Sequence, residues 1–257
     1  GGGGGEAGGK SAAEVLHSVG WVKLARDPLL VDGGTLAELR AAPYAPIFNG
    51  QSPDEEPLRH MGRLPAWAAR FEAHFASALR EEGLLACSDG SEKRVCDCYA
   101  LRSLGLGADA AGGDPALAGR QPPHSDAPEP PGEGATWPLA DADMPLSVML
   151  GVMPNTGLWI FPAGCCGAEC GGDAAGGDAA GGGAAGGDAV GGEDGCGEEG
   201  AFLLPIGVGE MVVWRGDLVH AGAGYAEPEH FRVHAYVDPP ARIYQRPKGK
   251  TNRCPGV

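Results

Sequence analysis

Two things are scarce in this chain, and each scarcity removes a class of function. Positive charge is one: 19 Lys and Arg stand against 34 Asp and Glu, a formal net charge of −15. A field of that sign repels phosphate backbones, and no run of Lys/Arg is dense enough to override it, so nucleic acid is not an expected partner. Long apolar stretches are another. None approaches the roughly 20 residues that a bilayer-crossing helix needs, so no membrane association is expected. Cysteine is present, with eight residues, but without a zinc-knuckle spacing. Cys96 and Cys98 alternate along an apparent strand, whereas Cys165, Cys166, Cys170 and Cys196 lie in or beside a glycine tract. A chain of this size does not need a disulfide framework. Free thiols in a reducing compartment are the simpler reading, and an intracellular location is expected. The chain lacks an initiator Met, which leaves an upstream targeting segment open.

What is abundant is glycine, at 46 residues, concentrated at two places. Residues 1–10 are expected to be disordered. Between Gly164 and Gly200 the sequence reduces to five-residue repeats such as Gly171-Gly172-Asp173-Ala174-Ala175. Such repeats bury too little apolar surface to offset the entropy of ordering. They read as an unstructured acidic insertion (residues 164–200) in a loop. The remaining 11–257 are expected to form a single domain.

Within it, residues 11–86 carry a mainly helical pattern. One helix starts at Thr35–Arg40. A longer one over Pro65–Glu82 has Trp67, Phe71, Phe75 and Leu79 at four-residue spacing, a core-facing stripe that stops at Gly83. After Gly83 the pattern becomes short strands: Arg94–Arg102, a hairpin over Leu146–Phe161 turning at Pro154-Asn155, then Ala201–Pro205, Glu210–Trp214 and Phe231–Asp238. Short strands with Gly/Pro punctuation point to a sandwich or barrel rather than parallel β-α-β units. Gly105-x-Gly107-x-x-Ala110 follows a strand, but Gly112-Gly113-Asp114-Pro115 stops the helix that a dinucleotide fingerprint requires.

Three signals carry chemistry. His124 and Asp126, in Gln121-Pro122-Pro123-His124-Ser125-Asp126, are two residues apart on extended chain and can face one side. Alone the pair also suits a surface turn. His220 follows a strand that turns at Gly216-Asp217. A lone His between Val219 and Ala221 is usually a core residue, but here it supplies a third ligand that His-x-Asp lacks. Two imidazoles and one carboxylate on one face of a metal leave three positions open. Lastly, Phe231–Asp238 alternates, placing Arg232, His234 and Tyr236 on one face. An inward arginine needs an anionic partner, and its planar fork suits a carboxylate. A structural ion pair would serve equally.

His124-x-Asp126, His220 and Arg232, with the strand Tyr99-Ala100-Leu101-Arg102-Ser103 ahead of them, resemble the Fe(II)/2-oxoglutarate-dependent dioxygenase superfamily. The resemblance covers residues 94–238, including the hairpin and the glycine-turn strand pair at Gly209–Tyr225. It implies a mainly β fold, a double-stranded β-helix (jelly-roll) barrel with the N-terminal helices packed on one side. It implies Fe(II), with 2-oxoglutarate and O2 as co-substrates. His124, Asp126 and His220 would then be the metal ligands, and Arg232 would bind the distal carboxylate of 2-oxoglutarate. His234, Tyr99 and Arg102 would be further co-substrate or substrate contacts. Collagen-type prolyl hydroxylases place lysine where Arg232 stands. AlkB-type demethylases carry a longer arginine-rich signature, and phytanoyl-CoA-type oxygenases match only loosely, so the resemblance stops at the superfamily. The expected outcome is hydroxylation of a small molecule or protein side chain with release of succinate and CO2. A cupin-like metal- or ligand-binding barrel without redox activity, or an inactive interaction module, would also suit the pattern.

Overall fold

The computed structural model describes residues 10–24, 27, 30–47, 58–62, 65–106, 114–127, 141–161, 200–240 and 252–253. The glycine-rich start (residues 1–9) and the Gly/Ala/Asp repeat (162–199) lie outside them, as do Cys165, Cys166, Cys170, Cys196 and Cys254.

The architecture is two antiparallel sheets facing each other, with helices covering the outer face of the larger one. Strands β1 (Trp21–Leu24), β2 (Ala45–Pro46), β3 (Arg59–Gly62), β4 (Arg94–Leu104), β6 (Leu146–Gly151), β9 (Met211–Arg215) and β11 (Glu229–Asp238) form a seven-stranded sheet in the order β1-β9-β6-β11-β4-β3-β2. Strands β5 (His124–Ser125), β7 (Thr156–Ile160), β8 (Phe202–Ile206), β10 (His220–Gly222) and β12 (Asn252–Arg253) form the second, in the order β12-β5-β10-β7-β8. From β4 to β11 the chain passes repeatedly between the sheets, and this is the expected jelly roll.

Two expectations about pairing are corrected by this topology. Leu146–Phe161 is not a hairpin: β6 pairs with β9 and β11, while β7 pairs with β8 and β10. The Pro154-Asn155 turn, with Asn155 at φ 62°, is a corner that carries the chain from one sheet to the other. The Gly209–Tyr225 pair of strands likewise splits between sheets, β9 in the large and β10 in the small. The mainly helical reading of residues 11–86 also needs correction. Helices α1 (Ala12–Val19), α2 (Gly33–Ala41) and α3 (Pro65–Glu81) are present, but β1, β2 and β3 are interleaved with them. β1 extends the large sheet at β9, and β3 extends it at β4. These strands have only two to four residues, too short for alternation to stand out beside a helical pattern.

Local chemistry accounts for the helix ends. Ser11 and Glu14 form a reciprocal capping box at α1, and Asp32 with Thr35 does the same at α2. The chain leaves α3 through Gly83 at φ 71°, a conformation that costs glycine little. Phe71, Phe75 and Leu79 of α3 are completely buried. They pack with Val148, Leu150, Val213, Phe231, Val233, Ala235 and Val237 on the outer face of the large sheet. The fourth member of the expected stripe, Trp67, has its side chain outside the described set. A second apolar cluster lies between the sheets: Met149, Val212 and Trp214 from the large one meet Leu158, Ile160, Leu204 and Ile206 from the small one. No helix among the described residues is long and apolar enough to cross a membrane.

Candidate metal centre

The barrel brings His124, Asp126 and His220 together because β5 and β10 are neighbours in the small sheet. His124 and His220 are direct register partners, and their ring centroids lie 4.5 Å apart. Asp126, just beyond β5, is fixed through Ala127, whose N–H donates to the Gly216 carbonyl at 2.7 Å. Gly216 must be glycine for that approach, since a Cβ there would stand 2.8 Å from the Ala127 Cβ and 3.0 Å from the Pro145 carbonyl oxygen. The potential ligand atoms of the three residues all lie within 4.8 Å of one another, and the Asp126 Oδ2 is 3.6 Å from the His220 Nε2.

Both imidazoles are oriented for ligation. His124 Nδ1 is 2.9 Å from the Pro122 carbonyl oxygen, and His220 Nδ1 is 3.0 Å from that of Leu218. A carbonyl only accepts, so each Nδ1 carries the proton and each Nε2 presents a lone pair. Protein metal sites set the histidine tautomer in this way. Burial, reinforced by the neighbouring His220, pushes the His124 pKa down to about 4, so the ring is neutral near pH 7. For Asp126 burial acts to raise the pKa, but His220, His234 and His124 outweigh it, and the carboxyl is held below its usual range. Its Oδ2 also accepts from Ser147 Oγ at 2.5 Å and from Trp214 Nε1 at 3.2 Å. Two imidazoles and one ionised carboxylate, pinned from behind, fit a divalent transition metal.

The inner face of β11 forms the adjoining wall. Arg232 is 2% exposed, and its Nη1 donates to Ser103 Oγ at 2.7 Å. Among the described residues no carboxylate forms an ion pair with it. Gly222, at the end of β10, makes room for its head: a Cβ there would stand 2.7 Å from Nη2. Behind it lies His230, fully buried and stacked on Tyr225 at 3.6 Å. Thr156 Oγ1 donates to the Met153 carbonyl and accepts from His230 Nε2 at 2.9 Å. Burial, then Arg232 and Arg59, push the His230 pKa down to about 3. This pocket therefore holds Arg232 beside a neutral imidazole.

Of the remaining sequence candidates, His234 stands beside the His124–Asp126–His220 cluster, with its Nε2 3.9 Å from the Asp126 Oδ2. Tyr99 packs against His234 at 5.0 Å, and its hydroxyl donates to that of Tyr236 at 3.2 Å. Arg102 is not brought to the site. It lies on the opposite face of β4 from Tyr99 and Ser103, with its guanidinium 4.7 Å from the Tyr44 ring centre. Alternation decides this: residues three apart on a strand face opposite ways, so Tyr99 and Arg102 do not share a wall. Sequence reasoning missed Ser147, Trp214 and Ser103, which hold Asp126 and Arg232. No local signal marks them, because a serine or tryptophan in an apolar strand looks like any other residue there.

The sequence matches no protein-family profile and no curated protein. Solved structures do resemble it. The epimerase SnoN, solved with Fe3+, alpha ketoglutarate and nogalamycin RO, aligns at a TM-score of 0.53 and 17% identity, covering 93% of this chain and 86% of its own. HygX from Streptomyces hygroscopicus, with nickel and 2-oxoglutarate bound, aligns at 0.55 and 11% identity, covering 89% and 86%. A prolyl hydroxylase from Trichoplax adhaerens, in complex with a hypoxia inducible factor peptide fragment, aligns at 0.50 and 9% identity, covering 89% and 87%. The chain has the jelly-roll fold of the non-haem iron 2-oxoglutarate-dependent oxygenases.

Proposed function

We propose that the chain is an Fe(II)- and 2-oxoglutarate-dependent dioxygenase that hydroxylates a small molecule or a protein side chain. The observation that carries this reading is the buried His124–Asp126–His220 cluster, whose ligand atoms lie within 4.8 Å of one another and whose imidazoles both present Nε2. Arg232, buried on the adjoining wall with no carboxylate partner among the described residues, supports it. Bound iron would supply oxygen activation coupled to oxidative decarboxylation of 2-oxoglutarate to succinate and CO2.

The chain's own residues do the rest. His124 and His220 hold the metal through Nε2, with their Nδ1–H groups anchored on Pro122 and Leu218. Asp126 stays ionised and supplies the negative ligand, oriented by Ser147 and Trp214. Arg232, held by Ser103, receives the distal carboxylate of 2-oxoglutarate, and the neutral state of His230 keeps a second positive charge away from that contact. His234, beside Asp126, and Tyr99, packed on His234, would be further contacts for co-substrate or substrate. Met149, Leu158, Ile160 and Val212 line the space between the sheets with apolar surface, which strengthens electrostatic contacts by excluding water.

Anaerobic titration with Fe(II) and 2-oxoglutarate tests this. A weak visible charge-transfer band is expected in the wild type, absent in His124→Ala and requiring more 2-oxoglutarate in Arg232→Ala. Iron binding without the band would favour a metal-binding barrel that lacks this co-substrate. SnoN is an epimerase, so product analysis, rather than succinate release alone, decides whether the outcome here is hydroxylation.

A further inference from the structure

Behind the metal centre, on the outer face of the large sheet, a cavity of about 200 Å³ opens beside α1. Its floor is apolar, with Leu16, Leu84 and Leu146, and Lys93, Arg215 and His17 also line it. Lys93 is unusual for a lysine in being only 4% exposed. Its ammonium donates to the carbonyls of Leu84 and Ala86, each at 3.3 Å. An ammonium has three donors, and among the described residues no carboxylate forms an ion pair with it. Asp143 acts on Lys93 through its charge, raising the lysine's pKa against burial, but forms no ion pair with it. Asp143 accepts from the Ser88 N–H and hydroxyl at 3.0 and 2.6 Å, and Asp217 accepts from Arg215 at 2.9 and 2.7 Å. Burying a charge costs several kcal/mol when it is not paired, and burial does push the Lys93 pKa down.

We infer that this cavity is a second ligand site, for a small aromatic monocarboxylate whose charge meets the Lys93 ammonium and whose ring lies on Leu16, Leu84 and Leu146. The size fits: a dry cavity of about 150 Å³ accommodates benzene, and the extra volume here leaves room for a carboxylate. Its position suits an effector. Leu146 of β6 and Arg215 of β9 are register partners, and the next pair along is Ser147 and Trp214. Those two side chains point the other way and donate to Asp126. A ligand wedged against Leu146 and Arg215 therefore presses on the strand pair that orients the metal's carboxylate. This effector role rests on the metal reading above, but binding at the cavity does not.

The probe is 4-fluorobenzoate, followed by fluorine NMR on the metal-free full chain. Saturable binding with a dissociation constant on the order of 1 mM is expected, corresponding to roughly −4 kcal/mol. It should weaken at least tenfold in Lys93→Met and in Ala13→Trp, which plugs the mouth from an exposed position and leaves the core untouched. It should persist in Arg232→Ala, and 4-fluorobenzyl alcohol should bind at least tenfold more weakly. Equal binding in both cavity variants, loss in Arg232→Ala instead, or no saturable binding would each overturn the site. With cobalt(II) loaded, saturating probe should change metal affinity at least twofold in the wild type and not in Ala13→Trp. Unchanged affinity alongside intact binding would overturn the effector role and leave the binding site standing.

Discussion

The two faces of β11 are made of one strand and serve opposite ends. Phe231, Val233, Ala235 and Val237 point outward, all at 0% exposure, and join the helices in an apolar core. Arg232, His234 and Tyr236 point inward, toward Tyr99, Trp214 and the His124–Asp126–His220 cluster. The outward face gains free energy in proportion to the apolar area it removes from water. The inward face buries a guanidinium and imidazoles, groups that cost free energy unless each finds a partner. The difference teaches how such a barrel divides its labour. The outer core, with α3 laid across it, supplies the stability that lets the inner face hold polar groups poised for a ligand.

Breaking the outward face should give the largest effect. Phe75→Ala removes a fully buried ring and should cost about 3–5 kcal/mol by chemical denaturation, leaving Fe(II) affinity of the folded fraction unchanged. A loss of metal affinity with little loss of stability would mean that the two faces are not separable. The inward face should show itself next, through pH. His124 is neutral when folded, with a pKa of about 4 against an ordinary 6.5. Between those values the unfolded chain binds more protons than the folded one. Stability of the metal-free protein should therefore fall as pH drops from about 6.5 to about 4, by about 3 kcal/mol from this residue. A shallower slope in His124→Phe than in the wild type over that window would locate the effect, the remaining slope coming from His230, whose folded pKa of about 3 makes it contribute over the same range. Asp126 adds a separate loss at lower pH, since its folded pKa is depressed and its stabilisation vanishes once it protonates.

Smaller effects sharpen the contrast. Ser147→Ala removes the hydroxyl that holds the Asp126 carboxylate and should weaken Fe(II) binding about 10–100-fold by isothermal titration, with only a modest change in thermal midpoint. Arg102→Met should do least. On the outer face over Tyr44, it should leave the 2-oxoglutarate requirement unchanged and shift stability by less than about 1 kcal/mol, the scale of a partly exposed cation–π contact.

The proximity of His124, Asp126 and His220 was legible in part because two of them are neighbours in sequence, and extended backbone two residues apart puts side chains on one side. Arg232 was legible for a similar reason: strict alternation over Phe231–Asp238 separates a charged inner face from an apolar outer one. The α3 boundaries were legible from Pro65 and Gly83. Pairing was not. Leu146–Gly151 and Thr156–Ile160 look like a hairpin because proximity in sequence favours one, yet the corner at Asn155 sends them to different sheets. β1 and β3 escaped notice because four residues each carry too little pattern, and their strand character comes from the β9 and β4 edges they complete. The misplacement of Arg102 was avoidable, since strand parity alone separates it from Tyr99.

By itself, then, the sequence determined which residues have ligating chemistry, which strand faces are apolar, and where helices begin and end. All of these depend on short-range spacing along the backbone. Only the tertiary structure decided that His124 and His220 are register partners, that Ser147 and Trp214 reach Asp126, and that Lys93 lines a cavity behind them. Those contacts join residues far apart in the chain, and they exist because burying the two sheets against each other, and the helices on the larger one, forces the strands of both into one order.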